Sequence, residues 1–251
     1  MFRLFKFVVK TAITIKLMAV AFSAGMGVAY LMQIRAQYRT WGLVKGGNER
    51  GVDGDELVPE AGIVETRAID IDATPDEVWP WLAQLGYGRG GWYSYGQLDR
   101  AWSPTGGDST ESADEILAEF QDLSEGDVVP THAEGGFVAR VVEPGESLVL
   151  YLDDSMFREQ IEELVAERVE DPDDVSNMDF EMPPYRVSWA FTLEDAPGGR
   201  TRLIERLRVQ IEASEAQWRA KPVLALGVFV FMRSQMEGIK RRAEAAAAAA
   251  E

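Results

Sequence analysis

The sequence lacks cysteine and contains one histidine, His132, among its 251 residues. Without thiols there can be no disulfide, no cysteine nucleophile and no iron–sulfur or cysteine-zinc site. A single histidine without cysteine also excludes the usual zinc ligand sets. The acidic segments DGDE and DPDD lack the spacing of a calcium-binding loop. We therefore expect no bound metal and no cofactor.

Lysine is scarce in the acidic part of the chain, where the lysines beyond residue 50 are Lys221 and Lys240. The formal net charge is −17, but residues 1–50 carry +7, so the remainder carries −24. A surface this acidic repels the phosphates of nucleic acids, so no nucleic-acid partner is expected. Because salt screens such self-repulsion, the composition suggests a halophilic host. An ordinary acidic domain is the alternative.

Long uncharged runs are also scarce, and the longest is residues 17–34, LMAVAFSAGMGVAYLMQI, between Lys16 and Arg35. A membrane span needs about 20 mainly apolar residues, so we expect a single-pass anchor in the cell membrane, with its flanks, over residues 1–45. A cleaved signal peptide and a buried or interfacial helix remain alternatives. The basic residues are equally numerous on both sides of the run, which leaves the orientation open.

The remaining chain divides into three parts. Residues 46–61 are rich in glycine and charge, which is typical of a linker. A folded domain is expected over residues 62–244, interrupted by an acidic insertion at residues 153–184. An alanine-rich helical tail, residues 245–251, follows.

The folded domain opens with a strand and a helix. Residues 62–73 alternate apolar and charged side chains, which indicates a strand. Thr74 is a favourable helix N-cap, Pro75 suits the first helical position, and Glu77 completes a capping box. The helix is expected to end at Gly86.

Gly86, Gly88 and Gly91 match the G-x-G-x-x-G pattern of dinucleotide-binding loops. That loop must follow a strand and open a helix. Here the glycines follow a helix and lead into an aromatic segment, so we interpret them as a turn without a nucleotide.

Several strands and a long helix follow. The segments YRVSWAFTLED and TRLIERLRVQIE flank the turn APGGR, which predicts a β-hairpin. A ten-residue apolar run from Val223 to Met232 is too short to cross a bilayer and is typical of a core helix. This order predicts an α+β fold in which a curved antiparallel sheet surrounds a long C-terminal helix.

The segments IDIDATPDEVWPWLAQLGYGRGGWYSYGQLD, LSEGDVV, SWAFTLEDAPGGRTRLIERLRV and MEGIKRRAE resemble the SRPBCC superfamily, which includes START, Bet v 1 and polyketide cyclase/dehydrase-like proteins. They are most similar to its membrane-associated prokaryotic subgroup of unassigned activity. The resemblance covers residues 62–244. It implies a helix-grip fold with a deep apolar cavity for lipids or other hydrophobic molecules. Some members are cyclases or hydratases, and the resemblance carries over no catalytic residue.

Aromatic residues after the glycine turn are the best candidates for ligand contacts, because they combine apolar area with polar groups. The candidate ligand-binding residues are Arg89, Trp92, Tyr93 and Tyr95. Core packing is the alternative for the aromatic residues, and pairing with Asp99 is the alternative for Arg89. Asp99 and His132 are the candidate catalytic residues, although each also suits a structural role.

These observations favour a membrane-anchored carrier that binds a hydrophobic small molecule or lipid in a helix-grip cavity. A cyclase or dehydratase acting on a hydrophobic substrate in the same cavity is the first alternative. A non-catalytic interaction or stress protein is the second.

Membrane extraction tests the predicted anchor directly. The full-length chain should stay in the membrane pellet through an alkaline carbonate wash, because release would expose residues 17–34 to water. A chain lacking residues 1–45 should appear in the supernatant, whereas one lacking residues 245–251 should stay in the pellet. Release of the full-length chain by the wash would contradict the anchor.

Overall fold

Six antiparallel strands form one sheet in the order β1-β6-β5-β4-β3-β2. The computed structural model describes residues 41–44, 46–47, 49–94, 112–132, 135–160, 183–212 and 221–250. The strands are β1 (Ile63–Ile71), β2 (Val128–His132), β3 (Gly135–Glu143), β4 (Ser147–Asp153), β5 (Tyr185–Ala196) and β6 (Arg200–Ile211), and the helices are α1 (Pro75–Ala83) and α2 (Lys221–Ala250). Short 3-10 helices lie at Asp55–Leu57 and Ala118–Phe120, and residues 154–160 are helical. The predicted α+β class is confirmed, and the curved sheet with its C-terminal helix is compatible with a helix-grip fold.

Strands β5 and β6 form the predicted hairpin. Their register pairs Trp189 with Leu207 and Phe191 with Glu205. The turn between them passes through Gly198 and Gly199, whose φ angles of 87° and 71° are readily adopted by glycine. Side chains on one strand alternate between two faces, so this register fixes which residues meet the helices.

Helix α1 begins as the capping pattern predicts. Glu77 accepts hydrogen bonds from the backbone N–H of Thr74 at 2.7 Å and from its hydroxyl at 2.9 Å. These bonds lower the pKa of Glu77. The helix ends at Ala83, before the predicted end at Gly86. Gly86 instead pairs with Gly91 through two backbone hydrogen bonds of 3.2 and 3.0 Å, which closes the glycine loop.

Helix α2 packs against β1 and α1. Its Lys240 Nζ donates to the backbone carbonyl of Asp70 at 2.6 Å, and the N–H of Asp72 donates to Glu244 Oε1 at 2.8 Å. Met236 and Ile239 are fully buried in the core between helix and sheet. We call the sheet face toward these helices the inner face and the opposite face the outer face.

The chain before β1 covers part of the outer face. Val58 is fully buried, and a Cβ on Gly54 would lie 2.5 Å from a methyl group of Val149. Asp55 binds Arg206 at 2.7 Å and Arg208 at 3.3 Å. These contacts lie within the segment predicted as a linker and attach it to β4 and β6.

Several predicted features lie outside the described residues. They are the anchor at residues 17–34, most of the acidic insertion, Tyr95 and Asp99. Within the described ranges, no helix has the length and apolarity needed to cross a membrane.

A substitution at Gly238 tests the close approach of α2 to the backbone of Tyr93. A Cβ at this position would lie 2.0 Å from the carbonyl oxygen of Tyr93. Gly238→Ala should therefore lower the free energy of unfolding by about 1–3 kcal/mol, despite the better helix propensity of alanine. Urea unfolding followed by tryptophan fluorescence measures this change.

Gly51→Ala is the matched control, since in the described part of the chain no atom beyond the two neighbouring residues lies within 4 Å of the added Cβ. It should change the unfolding free energy by less than about 0.5 kcal/mol. Equal stability of Gly238→Ala and the wild type would rule out the close contact with Tyr93.

Candidate functional site

An aromatic cluster occupies the inner face beneath α2, with Trp189 of β5 at its centre. Trp92 stacks on Trp189, with ring centroids 5.2 Å apart and an interplanar angle of 11°. Phe191 lies 5.2 Å from Trp189, and Phe137 of β3 and Phe231 of α2 each lie 5.8 Å away. The glycine loop, two strands and the helix therefore meet at one indole ring.

A buried carboxyl group adjoins this cluster. Trp189 Nε1 donates a hydrogen bond to Glu205 Oε1 at 2.8 Å. Glu205 is fully buried, and its Oε2 has no hydrogen-bond partner in the described part of the chain. Burial raises the pKa of Glu205 to about 8, against the opposing effects of the Trp189 hydrogen bond and the Arg67 charge. The carboxyl group is therefore mainly protonated at neutral pH.

A buried ion pair on β1 lies beside Glu205. The Arg67 guanidinium binds Glu65 Oε2 at 2.7 Å and the carbonyl of Thr66 at 2.5 Å. It also lies 5.4 Å above the ring of Phe229. Arg67 is the register partner of Glu205 on the neighbouring strand. Because Glu65 neutralises Arg67, this corner of the interior carries little net charge.

Arg89, a predicted ligand-binding residue, contacts backbone carbonyls. Its Nη2 donates to Ala83 at 2.8 Å and to Phe120 at 3.3 Å, and its guanidinium lies 4.6 Å from the Phe120 ring centroid. Burial lowers the pKa of Arg89. Its charge is placed at the C-terminal end of α1, where a cation is favourable.

Tyr93, also predicted to contact ligand, is buried in a polar junction. Its hydroxyl accepts a hydrogen bond from Gln84 Nε2 at 2.8 Å, and its backbone N–H donates to Ser112 at 2.9 Å. Burial raises the pKa of Tyr93. The Arg242 guanidinium lies 5.0 Å from its ring centroid. These contacts join α1, α2 and residues 112–121.

Gln84 is the centre of that junction. Besides Tyr93, its Nε2 donates to the carbonyl of Glu115 at 3.1 Å, and its Oε1 accepts from the N–H of Leu117 at 2.8 Å. Gly90 lies so close that an added Cβ would be 2.7 Å from Gln84. Much of the aromatic, glycine-rich block thus has a structural use.

The remaining predicted residues are Trp92, Tyr95, Asp99 and His132. Trp92, half-buried, belongs to the aromatic cluster. His132 is buried at the end of β2 and makes an edge contact with Phe157 at 6.2 Å. Tyr95 and Asp99 are not among the described residues. Within the described ranges, no group of three or more histidine, aspartate or glutamate side chains could hold a metal ion.

The sequence analysis missed Glu65, Arg67 and Glu205. The two-residue periodicity of the strands could have identified them as inward-facing residues. In β6, Glu205 shares a face with Leu203 and Leu207, and in β1 the ion pair falls between Ile63 and Ile69. A charged residue at an inward position of a strand requires a partner or a function.

The arrangement has two chemical capacities. Its aromatic rings offer contact area to a hydrophobic molecule. The protonated Glu205 can donate a hydrogen bond from Oε2 or exchange a proton near neutral pH. The described contacts place both capacities next to the Trp189 indole, since Trp92 stacks on its ring and Glu205 accepts a hydrogen bond from its Nε1.

Comparison with known proteins gives no family. No protein-family model and no curated protein sequence matches this chain. Protein Ms6760 of Mycobacterium smegmatis is similar over 71% of this chain and 88% of its own, with 16% identity and a TM-score of 0.35. Protein MLL2253 of Mesorhizobium loti is similar over 70% and 98%, with 18% identity and a TM-score of 0.33. Likenesses this distant identify neither a family nor a ligand.

The buried Glu205 makes stability depend on pH. Its pKa rises from 4.5 to about 8 on folding, so between these values the folded chain holds a proton that the unfolded chain has lost. Its contribution to the free energy of unfolding should therefore fall as pH rises through this window, by about 1.4 kcal/mol per pH unit. Glu205→Gln mimics the protonated acid and should remove this dependence.

Urea unfolding at a series of pH values measures the effect. The stability of Glu205→Gln relative to wild type should increase by up to about 4 kcal/mol between pH 5 and pH 8. The exposed Glu125→Gln should show no such trend. A difference between Glu205→Gln and wild type that stays constant with pH would mean that Glu205 remains ionised beside Arg67.

Proposed function

We propose that this chain is a membrane-anchored, helix-grip member of the SRPBCC superfamily that binds a hydrophobic small molecule or lipid between α2 and the inner face of the sheet. The single observation that carries the proposal is the stack of Trp92 on Trp189 beneath α2. Trp92 is the half-buried member of the pair, so it offers an approach to the buried indole. Ligand sites are commonly lined by aromatic rings around a few placed polar groups.

The sequence resemblance over residues 62–244 supports the same proposal, because binding of hydrophobic molecules is what that superfamily implies. The predicted anchor at residues 17–34 adds a physical reason. A domain held at a membrane surface meets molecules that partition into lipid, where their concentration far exceeds that in water. We assign the protein to the cell membrane and leave its orientation open.

A cyclase or dehydratase is the second candidate function, and Glu205 is the observation that favours it. A carboxyl group with a pKa of about 8 is suited to proton transfer near neutral pH. In a dehydration, it would donate its proton to the hydroxyl group, which leaves as water when the C–O bond breaks, and the resulting carboxylate would take the proton from the neighbouring carbon as the double bond forms. Glu205 is then a stronger candidate than His132, whose described ring contact is with Phe157.

Native mass spectrometry of the full-length chain purified from its host tests the proposal. The expected result is a copurifying lipid, isoprenoid or other hydrophobic molecule of defined mass. A chain that stays empty, even after incubation with the host's lipid extract, would contradict carrier function. Loss of the mass of one water from an added molecule would instead favour the dehydratase.

Trp92 provides the variant for this experiment. Trp92→Ala removes the ring that stacks on Trp189, so ligand affinity should fall by about tenfold. Tyr151→Ala is the matched control, because Tyr151 alternates with the inner-face residues of β4 and packs near Arg140 on the outer face. If both variants bind the ligand to the same extent, the Trp92 stack does not contribute to ligand binding, and the prediction is contradicted.

A further inference from the structure

We infer that the interior selects an uncharged hydrophobic molecule carrying a hydroxyl or carbonyl oxygen, and that Glu205 and Gln235 are the side chains that bind this oxygen. The inference rests on the proposed function, since it names the class of ligand that the same interior would take. It depends on two buried polar groups with unmet hydrogen bonds and on the charge balance around them.

The first group is the Glu205 carboxyl. One oxygen accepts from Trp189, and the other, Oε2, is fully buried without a partner in the described part of the chain. Leaving a buried polar atom unpaired is unfavourable in free energy. A ligand oxygen that accepts a hydrogen bond from Oε2 would recover this free energy.

The second group is the Gln235 amide on α2. Gln235 is fully buried, and neither its Oε1 nor its Nε2 has a hydrogen-bond partner among the described residues. It follows Phe231 by four residues and precedes Gly238 by three, so the three share one helix face. Phe231 contacts Trp189, and Gly238 meets the backbone of Tyr93. Gln235 therefore faces the region between Trp189 and Tyr93.

The two groups are chemically complementary toward one oxygen atom. The protonated Glu205 donates a hydrogen bond, whereas the Gln235 amide offers both a donor and an acceptor. A hydroxyl group can accept from Glu205 and donate to Gln235 Oε1. A carbonyl group can accept from both side chains. Either satisfies buried atoms that a purely hydrocarbon ligand leaves unpaired.

The charge balance disfavours an anionic ligand. Among the described residues, the ionised groups beside Glu205 are Arg67 and Glu65 on β1, and they bind each other at 2.7 Å. Trp189 and Phe191, which lie beside Glu205 on β5, carry no charge. A carboxylate or phosphate would be buried beside a carboxyl group, where the adjacent described cation, Arg67, already binds Glu65, and such burial is strongly unfavourable.

Isothermal titration calorimetry on the full-length chain at pH 7 tests this selection. The probes are the neutral alcohol 2-naphthol, the carboxylate 2-naphthoate and the hydrocarbon naphthalene, which share one ring system. We expect 2-naphthol to bind at least tenfold more tightly than 2-naphthoate and at least threefold more tightly than naphthalene. Tighter or equal binding of 2-naphthoate would overturn the inference.

Three variants assign the effect to residues. Glu205→Leu and Gln235→Leu should each abolish the preference for 2-naphthol over naphthalene, whereas Glu205→Gln should retain it because glutamine still donates. The exposed Glu125→Gln is the control. An unchanged preference in both leucine variants would overturn the assignment, even if the probes still bind.

The outcomes also separate this inference from the proposed function. Binding of naphthalene and 2-naphthoate with no advantage for 2-naphthol would leave the hydrophobic site in place and remove the selection. Absence of binding for all three probes, together with an empty chain in mass spectrometry, would remove the proposed function and the selection with it.

Discussion

The hydrogen bond from Trp189 to Glu205 joins the two halves of the interior. The aromatic rings supplied by the glycine loop, β3, β5 and α2 pack around the indole. Its Nε1 binds the Glu205 carboxyl group, which lies beside the Glu65–Arg67 ion pair. The bond holds a carboxyl group deep inside a hydrophobic sheet and fixes which of its oxygens is occupied. The remaining oxygen, Oε2, has no hydrogen-bond partner among the described residues.

The buried arginines on the two faces of the sheet bind carboxylates from different parts of the chain. On the outer face, Arg206 binds Asp55 and the hydroxyl of Thr66, so the segment before β1 supplies its counter-charge. On the inner face, Arg67 binds Glu65 of the same strand. Each arginine has its own carboxylate partner. Glu205 is therefore not needed as a counter-ion, which permits it to remain protonated beside Arg67.

The periodicity of the hydrophobic residues and the residue types at turns and helix caps predicted much of the fold. The capping box of α1, the β5–β6 hairpin and the long C-terminal helix follow from residues close together in sequence, where local rules apply. The site was less predictable because its contacts are distant. Trp189 and Glu205 are brought together by strand register, and Trp92 reaches them through a loop. The aromatic block identified Trp92, but its Arg89 and Tyr93 bind α1 and Gln84, contacts that sequence spacing does not encode.

The acidity of the chain and the chemistry of its interior are separate properties. Among the described residues, the buried carboxylic acids are Glu65 and Glu205, of which one is neutralised by Arg67 and the other is mainly protonated. The other acids among the described residues are partly or fully exposed to solvent, where salt screens their charge. Under the proposed function, ligand selection would depend on buried groups that salt does not screen. The net charge would then bear on solubility, whereas Glu65, Arg67, Glu205 and the Gln235 amide would determine which ligand the interior binds.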